Sequence, residues 1–202
     1  MAKGAEAHLP RERPRRFQLF QNHSTEQTTS PEIFIKGLYA QRHTIEELVY
    51  NNAEDCCGNN ETTFGAVLRE FVHLKRLAVT RDSLVEDGED EEPQPLYETL
   101  PSNLEEAWIL LDRGDIYDDR QQSFLKQGLR GLAMNKEQYC PSLNNLIWKW
   151  DAQYGVYPSG YRAEAGRILD ALNLVSTFQE VGIRFDFTFG NPTKFGASNI
   201  MD

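Results

Sequence analysis

Leu100-Pro101-Ser102-Asn103-Leu104-Glu105-Glu106-Ala107-Trp108-Ile109 is the stretch on which the fold turns. From Leu104 onward it places apolar residues at the first, fourth and sixth positions and acids at the second and third. The phrase returns as Ile45-Glu46-Glu47-Leu48-Val49-Tyr50, Leu74-Lys75-Arg76-Leu77-Ala78-Val79 and Leu143-Asn144-Asn145-Leu146-Ile147-Trp148. Successive copies start 29, 30 and 39 residues apart. Self-similarity at such a period signals stacked supersecondary units, none of which buries a core alone.

Within each copy the side chains alternate as they do along a strand, so two rows follow. Leu48 and Tyr50, Leu77 and Val79, Ala107 and Ile109, and Leu146 and Trp148 point toward the intervening helices. Glu47, Val49 and Asn51, Arg76, Ala78 and Thr80, Glu106, Trp108 and Leu110, and Asn145, Ile147 and Lys149 point away. A fifth strand, Ile183 to Phe187, alternates strictly and sends Arg184, Asp186 and Thr188 the same outward way.

Helical spacing fills the gaps. Ile33, Ile35, Leu38 and Tyr39 follow a Ser30-Pro31 start, and proline suits a first helical turn. Phe64, Val67, Leu68 and Phe71 read as a short helix, as does Leu96 to Leu100. Phe124, Leu125, Leu129, Leu132 and Met134 form a longer one. Ala163, Ile168, Leu169, Leu172, Val175 and Phe178 define a single amphipathic helix that ends at Gly182, where glycine accepts the left-handed cap. Helix then strand, five times, requires parallel strands with crossover helices. The expected fold is therefore α/β: a solenoid with a short curved parallel sheet of about five strands and helices on its outer face.

Phe71-Val72-His73-Leu74-Lys75-Arg76-Leu77-Ala78-Val79, Leu100 to Glu106 and Phe178-Gln179-Glu180-Val181-Gly182-Ile183-Arg184-Phe185 carry a family likeness. Over residues 31–189 the chain resembles the degenerate leucine-rich repeats of fungal F-box-like proteins. The resemblance implies recognition of a protein on the concave sheet and, in F-box members, selection of a target for ubiquitin ligation. Residues 1–30 are too short and too polar for the helical F-box itself, so a substrate-recognition part lacking its F-box is the alternative to a free-standing binder.

Residues 1–30 read as a polar, disordered arm, whose Arg11, Arg13, Arg15 and Arg16 offer a nuclear-import cluster as an alternative. Residues 82–95 hold Asp82, Glu86, Asp87, Glu89, Asp90, Glu91 and Glu92 without a base up to Glu92, which reads as a solvated loop or an acidic docking strip. Residues 151–162 form an aromatic, turn-rich loop around Tyr154, Tyr157 and Tyr161, and residues 190–202 a tail.

A net charge of −10 argues against a general binder of nucleic acid, whose affinity comes from Lys and Arg. No apolar run reaches the ~18 residues of a membrane span, and the N-terminus lacks the apolar centre of a secretory signal. A cytoplasmic or nuclear protein is expected. Cys56, Cys57 and Cys140 lack metal or redox spacing and read as reduced thiols. His43 and His73 precede strands as turn residues. Asp112, Asp115, Asp118 and Asp119 lack the glycine and closing glutamate of a calcium loop, and no phosphate loop or nucleophile elbow is present. No catalytic residue, metal or cofactor is expected, and an enzyme with an unrecognised site is the minor alternative.

What remains is a non-catalytic binding module for a protein partner. Its expected surface is the outward set Val49, Arg76, Ala78, Glu106, Trp108, Ile147, Lys149 and Arg184. The row Val49, Ala78, Trp108 and Ile147 is apolar where a solvated face would be polar. Either it is an interface, or the arm or tail covers it, because parallel strands often read apolar on both faces.

Overall fold

The computed structural model describes residues 15–20, 31–51, 63–85, 95–111, 124–151 and 161–190. Six strands form one parallel sheet: β1 (Arg15–Phe20), β2 (Ile45–Asn51), β3 (Arg76–Thr80), β4 (Glu106–Leu111), β5 (Asn145–Asp151) and β6 (Arg184–Gly190). They lie side by side in chain order, each hydrogen-bonded only to its sequence neighbours. The registers pair Leu48 with Leu77, Leu77 with Ala107, Ala107 with Leu146 and Leu146 with Phe185. Each copy of the phrase therefore sits beside the equivalent place of the next.

The entry to the strands repeats as well. A tight turn donates Leu74 N–H to Phe71 O at 2.9 Å, Leu104 N–H to Pro101 O at 3.2 Å and Leu143 N–H to Cys140 O at 3.0 Å. The next amide of each unit reaches the second-place residue of the phrase before it: Lys75 to Glu46 O, Glu105 to Lys75 O and Asn144 to Glu105 O, all at 2.8–3.0 Å. The first-place residues Leu74, Leu104 and Leu143 are fully buried behind these turns, and Ile45 is fully buried behind a turn that closes one residue earlier, from Thr44 N–H to Gln41 O at 2.9 Å.

Five α-helices are described: α1 (Pro31–Leu38), α2 (Leu96–Thr99), α3 (Arg130–Tyr139), α4 (Tyr161–Ala171) and α5 (Leu174–Glu180). A 3₁₀ segment, Gly65–Glu70, takes the helix's place between β2 and β3, and a π-turn, Phe124–Leu129, leads into α3. Ile35, Leu38, Leu68, Leu96, Leu129, Leu132, Leu169, Leu174 and Phe178 bury against Leu48, Tyr50, Leu77, Val79, Ile109, Leu146, Trp148 and Phe185 in one core. All of those strand residues point to the helix side, as the alternation predicts.

Several expectations are corrected. The sheet has six strands because Arg15–Phe20, inside the segment read as a polar arm, pairs in parallel with β2 and packs Phe17 on the core. Ile33 and Met134 face solvent, at 65% and 78% exposure, since the inward faces run through Phe34, Ile35 and Leu38 and through Leu129, Leu132 and Ala133. Ser83, Leu84 and Val85 are buried, so the acidic segment is anchored at its start: β3 runs into a 3₁₀ turn, Arg81–Ser83, and Phe64 N–H donates to Ser83 O at 2.8 Å. Residues 86–94 and 152–160, the bulk of both expected loops, lie outside the described residues.

The last helix is two. Asn173 adopts the left-handed conformation (φ 54°) between α4 and α5, and its carbonyl oxygen accepts from the Thr177 hydroxyl at 2.8 Å. Asparagine is among the few residues that tolerate that region. The break turns Leu174 and Phe178 inward and leaves Val175 exposed. The end at Gly182 (φ 72°) holds as read: Ile183 N–H reaches Phe178 O at 2.9 Å and Gly182 N–H reaches Gln179 O at 3.1 Å. That pair of bonds, with Ile183 buried near Phe178, is the Schellman arrangement that closes a helix on glycine.

Candidate functional site

Among the described residues, no helix contributes to the core on the other face of the sheet, where strand side chains alone form three rungs. The first rung aligns Arg16, Glu47, Arg76, Glu106, Asn145 and Arg184 on successive strands. Their signs alternate until Asn145. One residue earlier Glu46, Lys75, Glu105 and Asn144 repeat the order, with Lys75 Nζ 4.0 Å from Glu46. Opposite charges on neighbouring strands attract and like charges repel, so this double ladder favours the observed strand order over its permutations.

Glu47 is the ladder's buried member, at 5% exposure. Its carboxylate bonds the Arg76 guanidinium and lies 3.4 Å from Arg16 Nε. The Arg16 contact is an ion pair rather than a well-formed hydrogen bond, since Glu47 Oε2 has no donor in bonding geometry. Partial burial, then the nearby Arg76 cation, lower the Arg16 pKa. Arginine stays charged regardless, being unable to deprotonate at ordinary pH. The carboxylate thus holds two cations on one edge of the sheet.

The second rung sets Val49, Ala78, Trp108 and Ile147 in line, and Leu110 from the third rung joins them in one apolar cluster. Trp108 Nε1 donates to Glu106, so the ring spans from the charged rung to the apolar one. Lys149 lies on the third rung, beside Leu110, with its ammonium 5.9 Å from the centre of the Trp108 ring. A cation facing an indole is attracted by the ring's quadrupole, more so where water is scarce. Lys149 keeps only 4% of its surface exposed.

The structure therefore divides the expected contact set. Val49, Ala78, Trp108, Ile147 and Lys149 do come together on one face, but all are buried in the isolated chain, with Trp108 and Ile147 at 8% exposure. Of the two readings that sequence left open for the apolar row, its burial favours the covered one. Arg76 and Glu106 are half-buried and Arg184 is exposed, so the charged rung is the accessible part of the set. Glu47 and the sign alternation were missed at the sequence level, although Glu-Glu, Lys-Arg, Glu-Glu and Asn-Asn stand at the second and third places of the phrase.

Outside the sheet, Tyr39, Arg42 and Glu70 knit the first two units together on the outer surface. Arg42 lies 4.2 Å over the Tyr39 ring and 3.8 Å from the Glu70 carboxylate. The Tyr39 hydroxyl donates to Glu70, and this bond, ahead of desolvation, raises the phenol pKa. His43 and His73 are exposed residues of the strand-entry turns. No group of three or more His, Cys, Asp or Glu side chains fit for a metal occurs among the described residues, and Asp112 to Asp119 lie outside them. No described helix is long and apolar enough to cross a membrane.

Cys140 is fully buried at the entry to β5, and desolvation pushes its thiol up to about 11, against a small opposing pull from Arg69. A thiol raised in this way is protonated at neutral pH and is a poor nucleophile. Alkylation by iodoacetamide at pH 7 should leave Cys140 unmodified until the chain unfolds. The same shift predicts a stability term that is complete below the ordinary thiol pKa and lost as pH rises from about 9 through about 11. Comparing chemical denaturation of the wild type with Cys140→Ala between pH 8 and pH 11 reads that term.

Comparison with protein-family models, with curated proteins and with solved structures finds no match to this chain.

Proposed function

We propose that the chain is a non-catalytic protein-binding module, built as a leucine-rich-repeat-like solenoid, that meets its partner on the charged rung of the sheet face away from the helices. The observation that carries the reading is the in-phase stacking of the strand phrases: three of the four begin after the same turn, and each sets its second- and third-place residues beside those of its neighbour. Repetition of that kind generates an extended face whose side chains are presented at fixed spacing, which suits recognition of another protein. Arg76, Glu106 and Arg184 are the contact residues of the reading, with Val49, Ala78, Trp108, Ile147 and Lys149 as the packed layer that holds their strands in register.

Site-specific photo-crosslinking tests it. A benzophenone amino acid at Glu106 should yield a discrete crosslinked protein in extracts of the source cells, and one at Met134, exposed on α3 of the helix layer, should not. Equal capture from both sites, or capture from Met134 alone, contradicts binding on the sheet face.

A further inference from the structure

Among the described residues, β1 and β6 each have a single strand neighbour, and different chemistry secures them. β6 is packed by rings: Phe185 stacks on Phe178 of α5 with centroids 5.0 Å apart, and Phe187 lies 4.9 Å from Trp148. Attraction of that kind does not depend on a charged group. β1 sets Phe17, half-buried, against the core, and on the other face it places Arg16 beside the buried Glu47 carboxylate. Its register with β2 slips between Arg15 and Arg16, where the strand begins.

Glu47 serves two strands at once. Its carboxylate bonds Arg76 of β3 and lies 3.4 Å from Arg16 Nε on β1. The two guanidiniums also act on each other: after burial, the Arg76 cation is the second cause that lowers the Arg16 pKa. The carboxylate therefore offsets a repulsion as well as supplying an attraction. Without its charge, two cations would flank a neutral group that is almost wholly out of water, where like charges are poorly screened. β3 is paired with β2 on one side and β4 on the other, so β1 is the strand free to relieve that repulsion.

We propose that β1 is a releasable strap and that the Glu47 carboxylate is its latch: with the charge in place β1 stays on β2, and with the charge gone β1 leaves while β2–β6 keep their sheet. The device lies beyond the binding-module reading and does not depend on it. Release bares the edge of β2, a row of backbone groups able to pair with another strand.

The test uses the full chain, with amide exchange resolved along it and with trypsin, which cuts after arginine and so reports on the Arg16–Phe17 bond. Glu47→Gln keeps the side chain's shape and removes its charge. Exchange in β1, and cleavage between Arg16 and Phe17, should each rise at least about tenfold, because an uncompensated buried charge is left behind and an edge strand opens locally. Exchange in β4, β5 and β6 should stay within about twofold of wild type. Arg16→Gln leaves the Glu47–Arg76 bond in place and should also free β1, by a smaller factor; it keeps the test decisive if Glu47→Gln disturbs β2 and β3. Adding Arg16→Gln to Glu47→Gln removes the repulsion, so exchange in β1 should fall below that of Glu47→Gln alone. Exchange of β1 unchanged in both single variants, a rise shared equally by β4, β5 and β6, or a double variant that exchanges β1 as fast as Glu47→Gln would each overturn the proposal.

Discussion

Leu146→Asp should abolish cooperative folding. Leu146 has no exposed surface and stands between Ala107 and Phe185 in the middle of the helix-side core. Aspartate there loses the leucine's apolar burial, roughly 2–5 kcal/mol for truncation alone. It also buries a carboxylate among apolar neighbours, which costs several kcal/mol more or forces the group to stay protonated. A domain of this size is stable by about 5–15 kcal/mol in total, so the two losses together consume most or all of it. Loss of the thermal transition in circular dichroism at pH 7 is the expected reading. A native spectrum and melting temperature would place Leu146 outside the core.

Trp108→Ala should cost about 3–5 kcal/mol of folding stability, the usual range for a large aromatic removed from a packed interior. Sequence left two outcomes for this residue: an exposed anchor whose loss weakens binding, or a covered side chain whose loss weakens the fold. Its 8% exposure, its contacts within the cluster of Val49, Ala78, Leu110 and Ile147, and its bond to Glu106 place it with the second. With Trp148 and Trp150 replaced by Phe, the remaining Trp108 fluorescence should resist quenching by iodide until denaturant is added. Free quenching in the native chain, together with an unchanged melting temperature for Trp108→Ala, would return the row to the surface.

The strands were legible because their signal is local and repeated. The spacing of Leu48, Leu77, Ala107 and Leu146 gave both the inward direction and the interval at which neighbours pair, and the registers follow it residue for residue. β1 was not legible, because Arg15–Phe20 stands alone among polar residues and gains its order from the edge of β2. Helix faces were read one position off at Ile33 and Met134, where short helices offer too few turns to fix a phase. The break at Asn173 hid inside a continuous apolar pattern, since the residues on both sides, Leu169, Leu172, Leu174 and Phe178, all face inward to some degree.

The candidate site was half legible. Alternation put Val49, Arg76, Ala78, Glu106, Trp108, Ile147, Lys149 and Arg184 on one face, and they are there. Exposure cannot be read from alternation, however, because it depends on what else lies over the face, and the apolar row is interior. The charge ladder was available in the sequence but only becomes an interaction once the strand order is known. Glu46 and Glu47 are then neighbours of Lys75 and Arg76 rather than residues 29 positions away.

The central claim is that the phrases stack in chain order as one parallel sheet. Amide-to-amide Overhauser contacts in a perdeuterated, amide-protonated sample test it most directly. The account predicts a parallel ladder of contacts across β2–β3, β3–β4, β4–β5 and β5–β6 in the registers given above, and the same across β1–β2. Antiparallel contact patterns, or contacts that join β2 to β4 and bypass β3, would contradict it.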